Sequence, residues 1–396
     1  MVFMTVYAGH ASQFLHNAFS FKAKRQIREL YAFLIVFSLA WSLIMIFEPI
    51  FLYQLGIGVP LIALYYALHY FLYVVLMPLG GKFAAQYGYE RSLSVSTPIL
   101  IGYFLLLSKI SPGDTALLWL APGLLALHKI FYWPAYHANF SQYSSEGNRG
   151  TEQSWQRVIV YGIGVIGPLA GGFIVASFGF SALFVITALT LVVAGIPLLA
   201  TKEKFVPRSL PYGDVWQLMR RKYARRMFLA SWGWAEHLVH VVFWPIYLFI
   251  VIGRADWMGI VVAVSVAIMS AWGFVVGELS DRRTPRFVLR LASPLLSFTY
   301  ILRMLSGVWW VALPADALGR IGNTTMEIPF IARLYREASR SRDVLTHVLA
   351  FEIVLAMAKC AMALVAGIVF WVLPMPLAFI AIFFLAGMAA WLYRLL

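Results

Sequence analysis

Several charged and polar side chains fall inside stretches that are otherwise apolar, in patterns suited to handling protons and anions. Asp316, Arg320, Asn323 and Glu327 recur at intervals of three and four, which puts them on one stripe of a helix. Glu236 and His240 share a helix face by the same spacing, with His237 and Trp244 close by. Glu352 and Lys359, seven apart, share another, and Glu48 stands beside Pro49. Lys129 lies among His128, Tyr132, Trp133, Tyr136 and His137. A carboxylate or imidazole in a low-dielectric site takes up and releases protons as its neighbours change. Lys and Arg recognise anions. Tyr132, Trp133 and Trp244 offer faces on which a planar or apolar solute can stack. Each group also has a plainer reading. Asp316 and Arg320, four apart, can neutralise each other. Glu352 and Lys359 can form a structural pair, Glu236 can hydrogen-bond permanently to a histidine or the backbone, and His69 among its tyrosines reads as packed. Glu236, His237 and His240 suit proton handling better than a metal, so no metal or other cofactor is expected.

The elements that must position these residues are membrane spans. The chain of 396 residues is 62% hydrophobic and 12% charged, with mean hydropathy +0.80; soluble domains average about 25% charged residues. A charge near the bilayer centre costs roughly 2.5–3.5 kcal/mol, so those that remain are expected to face a wet cavity or a partner. The net charge of +14 then reads as cationic loops against an anionic lipid leaflet rather than as a nucleic-acid surface. The single cysteine, Cys360, excludes an intrachain disulfide. Lys22–Arg28 precedes a full-length apolar run, so no cleavable signal is read. No nucleotide loop or nucleophile motif is present, which argues against a membrane enzyme and against ATP-driven transport.

Twelve runs of spanning length follow, at about 29–53, 59–82, 91–109, 115–139, 153–177, 180–200, 227–252, 257–279, 286–304, 308–332, 345–371 and 376–395. The expected organisation is an interfacial segment 1–27, a six-helix bundle 28–200, a basic linker 201–226 lying on the membrane surface, and a second bundle 227–396. Of the 31 Lys and Arg, 25 fall on the N-terminal side of the membrane. Lys109, Arg254 and Arg303 fall on the other, and Lys129, Arg320 and Lys359 lie within spans. Both termini are therefore expected in the cytoplasm, in a plasma (inner) membrane. An internal repeat supports the halves: Phe47-Glu48-Pro49-Ile50-Phe51 matches Phe243-Trp244-Pro245-Ile246-Tyr247 at offset 196, Gly81 matches Gly277 at the same offset, and Trp133-Pro134 matches Ile328-Pro329 at 195.

Between the eighth and ninth runs stands Gly277-Glu278-Leu279-Ser280-Asp281-Arg282-Arg283-Thr284-Pro285-Arg286. It resembles the loop signature of the major facilitator superfamily, keeping Gly277, Leu279, Asp281 and Arg282 and placing Pro285 where the second Gly is usual. The first-half copy keeps Gly81, Gly88 and Arg91 but carries Ala85 and Gln86 in place of Asp and Arg. The fifth run holds Gly167-Pro168-x-x-Gly171-Gly172, similar to the superfamily motif common among proton-exchanging exporters. The resemblance implies an all-α membrane fold of two pseudo-symmetric six-helix bundles, with the first, fourth, seventh and tenth helices lining a central cavity. It also implies that Asp281 latches one half to the other, at the start of the fifth helix. The function expected is secondary transport of a small organic solute by alternating access, proton-coupled, as an efflux antiporter of amphipathic compounds. The alternatives are an organic-anion carrier or uptake symporter of the same fold, and a receptor-like protein that does not transport. A monomer embedded in lipid is expected.

Overall fold

The computed structural model describes residues 25–143, 149–199, 205–282, 284–339 and 343–396, and among them every regular element is helical. The proposed interfacial segment lies almost wholly outside the described residues. Twelve membrane helices follow one another. Helix α1 is Arg25–Ile44 and, after a turn, Phe47–Gln54. The break falls where Pro49 removes the N–H that would close the preceding turn. Helices α2 (Val59–Tyr87), α3 (Tyr89–Leu107) and α4 (Thr115–Tyr143) come next. Gly88, at φ +106°, makes the reversal between α2 and α3, a conformation that favours glycine. The stretch Arg149–Leu199 is two helices, α5 (149–178) and α6 (180–199), divided at Gly179 with φ +81°.

The second set begins with α7, from Lys222–Ser231 to Trp244–Ile252, which contains a 3-10 turn at Trp232–Trp234 and a π turn at Val239–Phe243. The π turn falls just before Pro245, which lacks the N–H needed to continue a regular ladder. Then come α8 (Ala255–Arg282), α9 (Pro285–Met304), α10 (Trp309–Ser339), α11 (Val344–Val372) and α12 (Met375–Ala390). Nine stretches pass as spans by length and hydropathy alone, one of them, Gly162–Leu198, running through both α5 and α6. Neither α3 nor α10 is among them. For α10 the cause is its polar stripe of Asp316, Arg320, Asn323 and Glu327.

Helix α7 starts at Lys222, within the stretch 201–226 expected as the linker. A short helix, Tyr212–Arg220, buries Val215 and Leu218. Arg208 straps this connection to both halves. Its backbone N–H donates to Ala85 O (3.0 Å), its guanidinium donates to the Tyr89 hydroxyl (2.6 Å), and it pairs with Asp343 (3.1 Å). The membrane side that carries this strap is the linker face; the other is the far face.

Toward the far face the two halves meet through backbone. A Cβ on Gly172 of α5 would lie 2.6 Å from Ala255 O, and one on Gly259 of α8 would lie 2.4 Å from Pro168 O. Gly167 and Gly171 are equally tight against Ser42 and Leu43 of α1. The Gly167-Pro168-x-x-Gly171-Gly172 motif thus joins α5 to α1 and α8. A Cβ on Gly277, by contrast, would meet nothing within 4 Å among the described residues. The side chains of Asp281 and Arg282, and those at the start of α5, lie outside the described residues, as does the latch assigned to them.

Candidate functional site

Two cavities that share part of their walls, here called two lobes, lie between the bundles. One lobe, of about 380 Å³, is lined by α1, α4, α5, α7, α8 and α10. The other, of about 400 Å³, is lined by α1, α2, α4, α7, α10 and α11. Trp41, Trp133, Tyr136, His237 and Glu327 belong to both. The four expected lining helices are present. The repeat did not indicate that α2 and α11 would also form a wall, and they contribute Tyr66, Tyr70, Tyr73, Glu352 and Lys359.

In the first lobe Arg320, Asn323, Thr324 and Glu327 face His128, Tyr132, Trp133, His237 and His240. Arg320 Nε donates to Asp316 Oδ2 at 2.8 Å, and Trp244 Nε1 donates to Asp316 Oδ1 at 2.8 Å. The pairing expected of Asp316 and Arg320 is present, and Trp244 completes it from behind the wall instead of facing a solute. Among the described residues the Asn323 amide has no hydrogen-bond partner for its oxygen or its nitrogen, although it is only 8% exposed. His237 Nδ1 is likewise buried without a partner among them.

In the second lobe Glu48 accepts from the Tyr66 hydroxyl at 2.9 Å. Glu352 of α11 accepts from the Tyr73 hydroxyl of α2 at 2.8 Å, and His137 Nε2 of α4 lies 3.3 Å from its other oxygen. His137 Nδ1 meets the Tyr335 hydroxyl of α10 at 2.7 Å. Glu352 and Lys359 therefore do not pair with each other. The Lys359 ammonium lies 5.5 Å from the centre of the Trp234 ring and 5.6 Å from that of Tyr70, and Lys129 lies 4.9 Å from the centre of the same Tyr70 ring. Such cation–π contacts are worth about 0.5–2 kcal/mol each, less than roughly 2.5–3.5 kcal/mol for placing a charge mid-membrane. Among the described residues neither lysine has a carboxylate within ion-pair distance.

Glu236, read as suited to proton handling, is held by tyrosines rather than by a histidine or the backbone. It is fully buried and absent from both cavity walls. The Tyr300 and Tyr393 hydroxyls donate to its two carboxylate oxygens. Beside it lies Arg303 of α9, assigned by charge counting to the far-side surface but in fact wholly buried. Its guanidinium stacks on Trp244 (4.6 Å) and Tyr300 (4.7 Å) and donates to His240 Nδ1 at 2.7 Å. Since guanidinium can only donate, His240 accepts at Nδ1. Gly319 of α10 makes room for the group, for a Cβ there would lie 2.2 Å from Arg303 Nη2. A charge counted to the far side thus lies inside the bundle. The missed signal was the pairing of Tyr300 with Arg303 three residues on, opposite a glycine in the polar helix.

The chain matches the family model described as Major Facilitator Superfamily over residues 30–343. A comparison with curated proteins found no match. Among solved structures, the nucleoside transporter NupG superposes with a TM-score of 0.69 at 12% identity, covering 92% of this chain and 98% of that one. The E. coli fucose:proton symporter FucP gives 0.64 at 14%, covering 92% and 97%. A bacterial homologue of the human drug peptide transporters PepT1 and PepT2 gives 0.68 at 13%, covering 93% and 96%. Identities this low speak for the fold alone, and that fold is the one the sequence match names. Twelve helices around a polar cavity, the family match over most of the chain and full-length structural similarity together make this a multi-pass membrane transporter, not an enzyme, that belongs to the Major Facilitator Superfamily.

Proposed function

We propose that the chain carries a small organic solute through the central cavity by alternating access, driven by protons. The carrying observation is that Glu352, on the wall of that cavity, takes its Tyr73 and His137 partners from the opposite bundle. Ionised, it accepts a strong hydrogen bond from Tyr73 and lies 3.3 Å from His137 Nε2, contacts that tie the bundles together near the linker face. Protonated, it loses its charge and holds them less firmly, so proton uptake and bundle separation are linked. The Lys and Arg distribution supports both termini in the cytoplasm, so the linker face is cytoplasmic in this reading. The Gly167-Pro168 motif packs α5 on α1 and α8, and that role carries no direction of transport.

The test is solute flux in liposomes with and without an imposed pH gradient. Glu352→Gln, which mimics the protonated group, is expected to abolish gradient-driven flux and keep passive exchange. Undiminished gradient-driven flux in this variant would remove Glu352 from coupling.

A further inference from the structure

We propose that the transported solute is an organic anion, with its acidic group held between Lys129 and Lys359 and a hydrogen-bonding group at its other end held by Asn323. This rests on the reading of the cavity as the transport site. Lys129 belongs to α4 in the first bundle and Lys359 to α11 in the second, yet both ammonium groups lie over one ring, that of Tyr70. Their separation is therefore no more than the sum of those two ring distances. Like charges this close in a low-dielectric wall repel. Among the described residues neither lysine has a carboxylate in ion-pair contact. The nearby carboxylates Glu48 and Glu352 are instead hydrogen-bonded to Tyr66 and to Tyr73, and Glu352 also lies 3.3 Å from His137 Nε2. A carboxylate or phosphate entering between the ammoniums supplies a direct ion-pair partner to both. It thereby attracts the two bundles to a common point, as occlusion requires.

The other lobe supplies the second contact. The Asn323 amide offers a donor and an acceptor, both buried and both unused, on the wall of that lobe. Trp133 and Trp41 border both lobes and provide apolar surface between the acidic end and the amide. The solute that fits is acidic at one end, flat or apolar in the middle, and able to hydrogen-bond at the other end. A neutral or cationic solute forms no ion pair with either lysine.

The test uses full-length protein in liposomes and matched pairs of solutes: benzoate with benzamide, phenylacetate with phenylacetamide, nicotinate with nicotinamide, galacturonate with galactose, and uridine monophosphate with uridine. Exchange and thermal stabilisation are measured for each. The expected result is that acids exchange and stabilise while their neutral partners do not. Lys129→Gln and Lys359→Gln should each weaken the effect by about tenfold or more, the loss expected for a hydrogen bond to a charged group, whereas Lys129→Arg and Lys359→Arg retain much of it. Asn323→Ala should weaken nicotinate or uridine monophosphate more than benzoate. Preference for the neutral members, or acids bound equally well by the Gln variants, overturns the anion site and leaves transport standing. Exchange of no member by wild-type protein overturns the transport reading along with it.

Discussion

The Tyr73 hydroxyl of α2 donates to the Glu352 carboxylate of α11 across the bundle interface at 2.8 Å. Removing that hydroxyl while keeping the ring tests whether the contact holds the linker face closed. A hydrogen bond to a charged group is worth roughly 1.5–3 kcal/mol, and His137 still grips the other oxygen. Tyr73→Phe is therefore expected to raise the open population on that face by about tenfold. In a Cys360→Ala background, alkylation of Ile331→Cys on the lobe wall should accelerate accordingly. An unchanged rate would show that the hydroxyl does not gate.

The far-face seal has the opposite chemistry, backbone against backbone. Gly172 and Gly259 face Ala255 O and Pro168 O so closely that a methyl group cannot be fitted without moving a helix. Gly172→Ala is expected to wedge α5 from α8 and favour the state open on the far face. Spin labels on the exposed residues Gln54 and Arg254 should report a longer distance in Gly172→Ala than in wild type. A matching distance distribution would mean that the helices absorb the methyl locally.

Topology can be read with three cysteines. Lys109 and Arg254 are exposed, whereas Arg303 is buried inside the second bundle. Lys109→Cys and Arg254→Cys should react with an impermeant maleimide added to intact cells, and Arg303→Cys should not. Labelling of the first two only after the membrane is opened would invert the orientation.

These cases also mark what the sequence could convey. Helix number and order were legible because a span needs about 20 apolar residues, a constraint that acts locally along the chain. The α10 stripe was legible for the same reason, since Asp316 and Arg320 meet within one helix. Partners across helices were not. Glu352 and Lys359 share a face, but whether they pair depends on Tyr73, His137, Tyr70 and Trp234, which arrive from three other helices. Arg303 near the end of a run looks like an interfacial charge until Gly319, on the next helix, is seen to leave space for it. The charge count therefore misplaces this residue, because it weighs position along the chain and not the space a neighbouring helix leaves.

Arg303 leads to the last prediction, because it redefines Glu236. Within the second bundle two guanidiniums, Arg303 and Arg320, and two carboxylates, Glu236 and Asp316, form one cluster linked through Trp244 and Tyr300. Asp316 pairs with Arg320 directly. Glu236 reaches Arg303 only through Tyr300, which donates to the carboxylate and stacks under the guanidinium. With both carboxylates ionised the cluster is neutral; with Glu236 neutral it carries one excess positive charge in a low-dielectric interior. Glu236→Gln imposes that excess, and Arg303→Met removes a cation but leaves the His240 Nδ1 acceptor unsatisfied. Each single variant is expected to lower thermal stability. The double variant restores the charge balance, so it should be more stable than the sum of the two losses predicts, by about 0.5–3 kcal/mol, the range for directly coupled residues. The measurement is a double-mutant cycle of melting temperatures in detergent, together with gradient-driven flux in liposomes. Additive losses would mean that the carboxylate does not serve as countercharge to Arg303. A silent Glu236→Gln with lost gradient-driven flux would show that Glu236 already carries a proton at rest. The coupling carboxylate would then lie within the second bundle, at Glu236 and not at Glu352.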